Sequence, residues 1–220
     1  MPPMYVIDSS LQTVHLNPAN RGDWDDLMIA QLIGAGKRLM IQSESDQWNL
    51  INRLFAKARD DARDASQQQR EAREFVAYFL LDTVNATLTL VEATNVTMQN
   101  SHAVIPISRI RGTDRLVLPG GDAGQRVIGD IHTHLLFDPL IDLNHSNLGT
   151  TIRSSTTSLH HGVSDVDTAS AQNGPMVVYA VDSKYLHRAN PDGTKNDKLS
   201  RSGNVLREAL RVFGGEPNQG

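Results

Sequence analysis

The sequence contains no cysteine. Disulfides are excluded, and so are thiolate metal sites, so any bound metal must rest on His, Asp, Glu or water. That restriction favours a catalytic site over a structural zinc knot. There is also no large excess of charge, since 21 Lys and Arg stand against 25 Asp and Glu for a net charge of −4. A nucleic-acid partner would leave a basic patch or stripe, and none is present. No apolar run approaches the roughly 20 residues of a membrane-spanning helix, so no membrane span is expected. The opening MPPMYVIDSSLQT has neither the basic start nor the apolar core of a signal peptide. A cytoplasmic protein is the default expectation, with export by a machine that needs no cleaved signal left open. No internal repeat is visible. What remains is 220 residues of 39% hydrophobic content, enough for one domain or for one domain with an appendage.

Asp23 to Ile41 carries Trp24, Leu27, Met28, Leu32, Ile33, Leu39 and Met40 in a helical pattern broken at Gly34 and Gly36. The GAGKR inside it is not a phosphate loop, because Gln31 stands where the first glycine belongs and Arg38 follows Lys37. A stronger helix is expected over Asp46 to Arg73. There Trp48, Ile51, Leu54, Phe55, Ala58, Ala62 and Ala65 recur at three- and four-residue steps, with mixed charges on the other face. The period then changes to that of strands. Phe75 to Leu81 and Thr87 to Val96 form an expected hairpin across the turn-prone Asp82 to Ala86, and Ala103 to Ile107 is a further strand candidate. After Pro119, Gly120 and Gly121 comes a strand over Arg126 to His134. Leu135 to Val163 is polar and long for a loop inside a compact domain, which marks it as functional or disordered. Ser164 to Gln172 has helix-start chemistry, with Ser164 as N-cap and Asp167 at the third helical position. PMVVYAVDSKYLHRANPDGT reads as two strands with a turn at Asn190 to Gly193, and Val205 to Phe213 as a closing helix.

The chemistry concentrates in VIGDIHTHLL, Val127 to Leu136. In a strand, residues i and i+2 share a face, so His132 and His134 project side by side, where two imidazoles can bind one cation. A hydrolytic zinc site needs three protein ligands and one open position for water. Asp167, one turn into the helix that Ser164 opens, is the candidate third ligand. A glutamate outside the metal shell would accept the water's proton and deliver it to the leaving amine. Ser164 would steady the tetrahedral oxyanion if its helix start faces the metal. Each residue also has a plainer reading. The histidines can be a hydrogen-bonded pair, Asp167 a helix-start carboxylate favoured by the helix dipole, and Ser164 an N-cap alone. His145, His160 and His161 read as polar loop residues, the latter two also as alternative ligands or substrate contacts, and His187 as structural.

His132-x-His134 followed by Ser164-x-x-Asp167, with a glutamate ahead of an earlier strand, resembles the JAMM motif of the JAB/MPN zinc metalloproteases. The resemblance implies that His132, His134 and Asp167 hold Zn2+ and that Ser164 assists the oxyanion. It also implies a general acid/base at the start of the first strand, where Glu74 is the match and Glu71, one helical turn earlier, the reserve. It covers about Asp46 to Gly193 and implies an α+β fold of the JAB/MPN (cytidine-deaminase-like) type, a curved mixed sheet flanked by helices. The implied activity is hydrolysis of peptide or isopeptide bonds in a protein or peptide substrate. Two positions depart from the family pattern: Leu135 stands where proline is usual, and 29 residues separate His134 from Ser164. Read as an insertion, Leu135 to Val163 borders the cleft, at a loop-entropy cost that grows only logarithmically with length.

The resulting layout is a partly helical N-terminal extension over 1–45, a JAB/MPN-like metallohydrolase domain over 46–213 with the 135–163 insertion, and a flexible tail over 214–220. The extension and the insertion are the candidate surfaces for a partner protein. Two rival functions compete. One is a JAB/MPN-like module without catalysis, acting as a scaffold. The other is a barrel hydrolase of the PHP or amidohydrolase kind, disfavoured because only 86 residues follow His134.

Overall fold

A computed structural model describes residues 4–6, 39–68, 72–94, 96–99, 102–104, 108–109, 116–118, 124–134, 162–174, 176–182 and 184–212. Most of the expected Asp23–Ile41 helix, the bulk of the 135–163 insertion with His145, His160 and His161, the reserve Glu71, residues 105–107 and the 214–220 tail lie outside them.

The centre is a mixed sheet. Strands β2 (Met40–Gln42), β3 (Val76–Asp82), β4 (Thr87–Glu92), β9 (Gln125–Thr133), β10 (Val177–Val181), β11 (Leu186–Ala189) and β12 (Lys195–Leu199) lie in the order β2-β4-β3-β9-β10-β11-β12, and β1 (Met4–Val6) pairs with β2 at the edge. Two small antiparallel pairs, β5 (Thr97–Gln99) with β6 (His102–Val104) and β7 (Ser108–Arg109) with β8 (Leu116–Val117), branch from the connection between β4 and β9. Three helices complete an α+β architecture: α1 (Glu44–Gln68), α2 (Asp165–Asn173) and α3 (Val205–Val212). Among the described residues no helix is long and apolar enough to cross a membrane.

Strict alternation sorts the central strands between two cores. Ala77, Phe79 and Leu81 of β3 and Val177, Tyr179 and Val181 of β10 face one side, under α1 and α3. There they meet Leu50, Ile51 and Leu54 of α1 and Val205, Leu206, Ala209 and Leu210 of α3. Ile51, Leu54 and Leu206 are almost wholly buried, each worth about 1.5–3 kcal/mol of apolar transfer. Gln47 pins these two helices together, donating from Nε2 to Gln42 O at 2.7 Å and Asn204 Oδ1 at 2.9 Å, and accepting the Leu206 N–H at 3.2 Å. Tyr78 of β3 and Val178 and Ala180 of β10 face the other side, with Val163, Ala171 and Met176 around α2.

Several elements differ from their sequence-based bounds. Met40–Gln42, expected to end a helix, is a strand, because it pairs in parallel with β4 through Met40↔Thr87 and Ile41↔Leu88 and buries Ile41 completely. That pairing is long-range and invisible to local periodicity. The sheet therefore draws on residues ahead of Asp46. α1 begins two residues before the expected Asp46, where Ser43 Oγ accepts the Asp46 N–H at 3.2 Å, and its described span stops at Gln68 rather than Arg73. The second hairpin strand stops at Glu92 rather than Val96. After the two strands expected beyond Pro175 comes a third, β12, antiparallel to β11.

β9 and β10 run parallel, as the α2 crossover allows, with Gly129↔Val177 and His132↔Ala180 in register. On its other side β9 is antiparallel to β3, and that ladder shifts register, since Phe79 faces Gly129 and Leu80 faces Val127. The bulge resets the alternation of β9. Ile128 and Ile131 both join the core under α1 and α3, while Val127 belongs to the opposite one. Gly129 sits where the strands crowd, and a Cβ there would lie 2.5 Å from Val177 O and 2.9 Å from Phe79 Cδ2.

Candidate metal centre

Three pieces of backbone meet at the C-terminal end of β9 on the α2 side of the sheet. The first is β9 itself, which aims Asp130, His132 and His134 in one direction by its period of two. His134 is held by its N–H to Val181 O at 2.8 Å, and the small Ala180 beside His132 leaves space for the rings. The second is the approach to β3. The ladder Val76↔His132 continues outward through Thr133 N–H to Phe75 O at 3.0 Å and Phe75 N–H to Thr133 Oγ1 at 3.1 Å. Glu74 comes immediately before Phe75, and its charge acts on His132.

The third piece is the start of α2. Ser164 is its N-cap, with φ −71° and ψ 170°, and forms a capping box with Asp167. Ser164 Oγ accepts the Asp167 N–H at 3.1 Å, and Asp167 Oδ2 accepts the Ser164 N–H at 2.7 Å. The expected cap and the expected ligand are therefore one device. The cap fixes the carboxylate through Oδ2 and leaves Oδ1 to face His132, and Ser164 keeps its own hydroxyl proton to donate.

The donor atoms converge. His132 Nε2 lies 3.0 Å from His134 Nε2 and 3.4 Å from Asp167 Oδ1, and His134 Nε2 lies 3.8 Å from Asp167 Oδ2. A tetrahedral ion at its usual distance from N and O ligands separates neighbouring donors by about 3.3–3.6 Å. The three separations bracket that range, so the residues could hold one cation, and they form the only such group of His, Cys, Asp and Glu among the described residues. The set is nitrogen- and oxygen-only, has a single carboxylate and is largely buried, the His132 side chain being 7% exposed.

Electrostatics ties the group together. Burial by itself would lower the His132 pKa, but the Asp167 carboxylate, the Asp130 hydrogen bond and the charge of Glu74 carry it well above the ordinary histidine value. Burial and then the His132 charge push His134 down to about 3, against the pull of Asp167. Burial would raise Asp167, yet the two imidazoles and the Ser164 N–H hold it far below the usual carboxylate range. Two nitrogens and a carboxylate packed this closely repel or share protons unless something positive sits between them.

Two features of this region go beyond the roles assigned from the sequence. Asp130 Oδ1 lies 3.2 Å from His132 Nδ1. The period of two that pairs the histidines places Asp130 on their face as well, so a signal for it exists. The other is a buried cluster around His187. Its Nε2 meets Asp182 Oδ2 at 3.0 Å and its Nδ1 lies 3.2 Å from both Asp197 Oδ1 and the Lys198 nitrogen. Asp182 Oδ1 accepts the Lys184 and Tyr185 N–H groups, closing the β10–β11 turn. His187 is thus held by hydrogen bonds within the sheet of β10, β11 and β12, the structural role expected of it. Asp197 also approaches Gly162, where a Cβ would fall 2.6 Å from Asp197 Oδ1. Gly162 lies two residues before the Ser164 cap, so this packing steers the chain into the site. No family model matches the chain, and no curated protein or solved structure does.

Proposed function

We propose that the chain is a zinc-dependent hydrolase of the JAB/MPN kind, cleaving peptide or isopeptide bonds in a protein or peptide substrate. The observation that carries this is the convergence of His132 Nε2, His134 Nε2 and the Asp167 carboxylate to within 3.0–3.8 Å of one another. The order of the residues along the chain supports it: glutamate before a strand, two histidines at a strand end, and a serine-capped helix with its aspartate. Held by three residues, zinc would leave one position for a water whose pKa it lowers towards about 7. Glu74, two residues before the partner of His132 and close enough for its charge to act on that histidine, takes the proton from the attacking water and returns it to the leaving nitrogen. As the water oxygen bonds to the carbonyl carbon, Ser164 Oγ–H donates to the carbonyl oxygen, and the carbon–nitrogen bond then breaks.

The test is zinc content per chain in protein purified without chelator, beside a His132→Ala/His134→Ala variant of equal helicity. About one zinc in the wild type and almost none in the variant is expected. No zinc in either, even after its addition at neutral pH, would overturn the metal site and favour the scaffold.

A further inference from the structure

A ligating imidazole works only if the nitrogen that faces the cation carries a lone pair, so its proton must sit on the other nitrogen. In His132 the nitrogen facing His134 and Asp167 is Nε2, and the nitrogen facing away is Nδ1. Asp130 Oδ1 lies 3.2 Å from Nδ1, and both side chains are almost completely buried, 7% and 3% exposed.

Asp130 occupies an unusual place for a carboxylate. It is in the middle of β9, flanked across the ladder by Tyr78 on β3 and Val178 on β10. Both neighbours belong to the apolar cluster on that face. A carboxylate in such surroundings is costly unless it is hydrogen-bonded, and an apolar residue of similar size would suit packing better. His132 Nδ1 is the partner that explains it. The backbone adds its own constraint, because the period of two puts Asp130 on the histidine face, and the β3–β9 bulge at Phe79 and Leu80 turns Ile128 into the other core beside Ile131.

We propose that Asp130 is a positioning residue of the metal centre, accepting the Nδ1–H of His132 and thereby fixing the tautomer and ring orientation that present Nε2 to the cation. This rests on His132, His134 and Asp167 being the ligands. Outer carboxylates of this type typically matter about 10- to 100-fold in metal affinity.

The experiment measures zinc affinity by competition with a chromogenic chelator for wild type, Asp130→Asn, Asp130→Ala and His132→Ala. Nitrogen chemical shifts of the His132 ring are recorded on the zinc-loaded proteins, and far-UV circular dichroism checks each fold. Asp130→Ala is expected to bind zinc about 10- to 100-fold more weakly than wild type. Asp130→Asn, near-isosteric and still offering an acceptor oxygen, should fall between the two, and it decides the matter if the alanine variant does not fold. The wild-type ring should report a proton on Nδ1, and its Nδ1 signal should move in Asp130→Asn, which a packing role alone would not cause. Zinc affinity within about twofold of wild type in a folded Asp130→Asn, with the Nδ1 signal unmoved, would overturn the role of Asp130 while leaving the site intact. A wild type that binds no more zinc than His132→Ala would instead overturn the metal site, and the role of Asp130 with it.

Discussion

Ser164 and Asp167 hold each other by two reciprocal hydrogen bonds, and the bond to Asp167 uses Oδ2, while Oδ1 lies 3.4 Å from His132 Nε2. The carboxylate's work as a cap and its charge toward the histidines are therefore separable by substitution. Asp167→Asn keeps an acceptor for the Ser164 N–H and removes the charge. Its helicity and urea midpoint should stay close to wild type, while bound zinc falls well below one per chain. An Asp167→Asn protein with full zinc content would show that the carboxylate is a cap only.

The two roles of Ser164 separate by a pair of substitutions. At an N-cap, alanine costs about 1 kcal/mol and glycine only a few tenths, yet both remove the hydroxyl. Ser164→Ala should therefore be less stable than Ser164→Gly in urea denaturation. Both should hydrolyse peptide about 10²- to 10³-fold more slowly than wild type, as for the loss of one oxyanion donor. Rates that follow stability rather than the hydroxyl would restrict Ser164 to capping.

Glu74 lies two residues before Val76, the partner of His132, and outside the three-ligand group. Glu74→Gln keeps its size and loses its basicity. Zinc content should remain at about one per chain while hydrolysis drops by a factor of about 10²–10⁴, the usual contribution of a positioned acid/base. A variant that keeps both zinc and rate would transfer the role to another group.

The two histidines, Ser164 and Asp167 are legible in the sequence because each follows from a local rule: the period of two pairs His132 with His134, and the cap chemistry of Ser164-x-x-Asp167 sets a helix start. Glu74 follows from no such rule, since the end of a charged helix offers several carboxylates, and it is singled out only by the resemblance to the JAMM pattern. Asp130 obeys the same period and opens the Asp-x-His-x-His that prompts the barrel-hydrolase reading, but nothing in the sequence shows that it contacts His132. The His187 cluster is illegible in a different way. Asp182, His187 and Asp197 come together only when β10, β11 and β12 pair, and β12, KNDKL, has none of the apolar alternation that announces a strand. Met40–Gln42 reads as helix for a related reason, since its strand conformation comes from pairing with β4, whose partner residues lie more than 40 positions on. Local pattern finds the candidate site residues and misses the long-range contacts that hold them.

Gly129 is one such contact, between the strand bearing the ligands and both its neighbours. Gly129→Ala would drive a Cβ to 2.5 Å from the Val177 carbonyl and 2.9 Å from the Phe79 ring. The ring can turn, but the carbonyl belongs to the β9–β10 ladder and can move only with the strand. A loss of about 1–3 kcal/mol is expected, the usual range for overpacking a core. Because His132 lies three residues on, zinc affinity should fall as well. Urea denaturation of the metal-free protein reads the first effect and chelator competition the second. A Gly129→Ala protein as stable as wild type would mean that β9 and β10 can part at this point without cost.

Asp182 gives the fold a defined sensitivity to acid. Burial tends to raise its pKa, but the His187 hydrogen bond and the Tyr185 and Lys184 N–H groups outweigh that and bring it from 3.8 down to about 2. A carboxyl group whose pKa is lower folded than unfolded stabilises the fold above its unfolded pKa and loses that contribution as pH falls through the folded one. Each tenfold difference in proton affinity between the two states is worth about 1.4 kcal/mol, so the contribution at neutral pH is about 2 kcal/mol. Asp182→Asn should therefore be less stable than wild type by about that amount at pH 7. The gap should narrow as the pH drops from 3.8 to about 2, because wild-type Asp182 then takes up the proton that removes its advantage. Thermal unfolding of the two metal-free proteins across that range measures the gap directly. A gap that stays constant into acid would mean that Asp182 stabilises the β10–β11 turn by its shape alone, with no contribution from its charge beside His187.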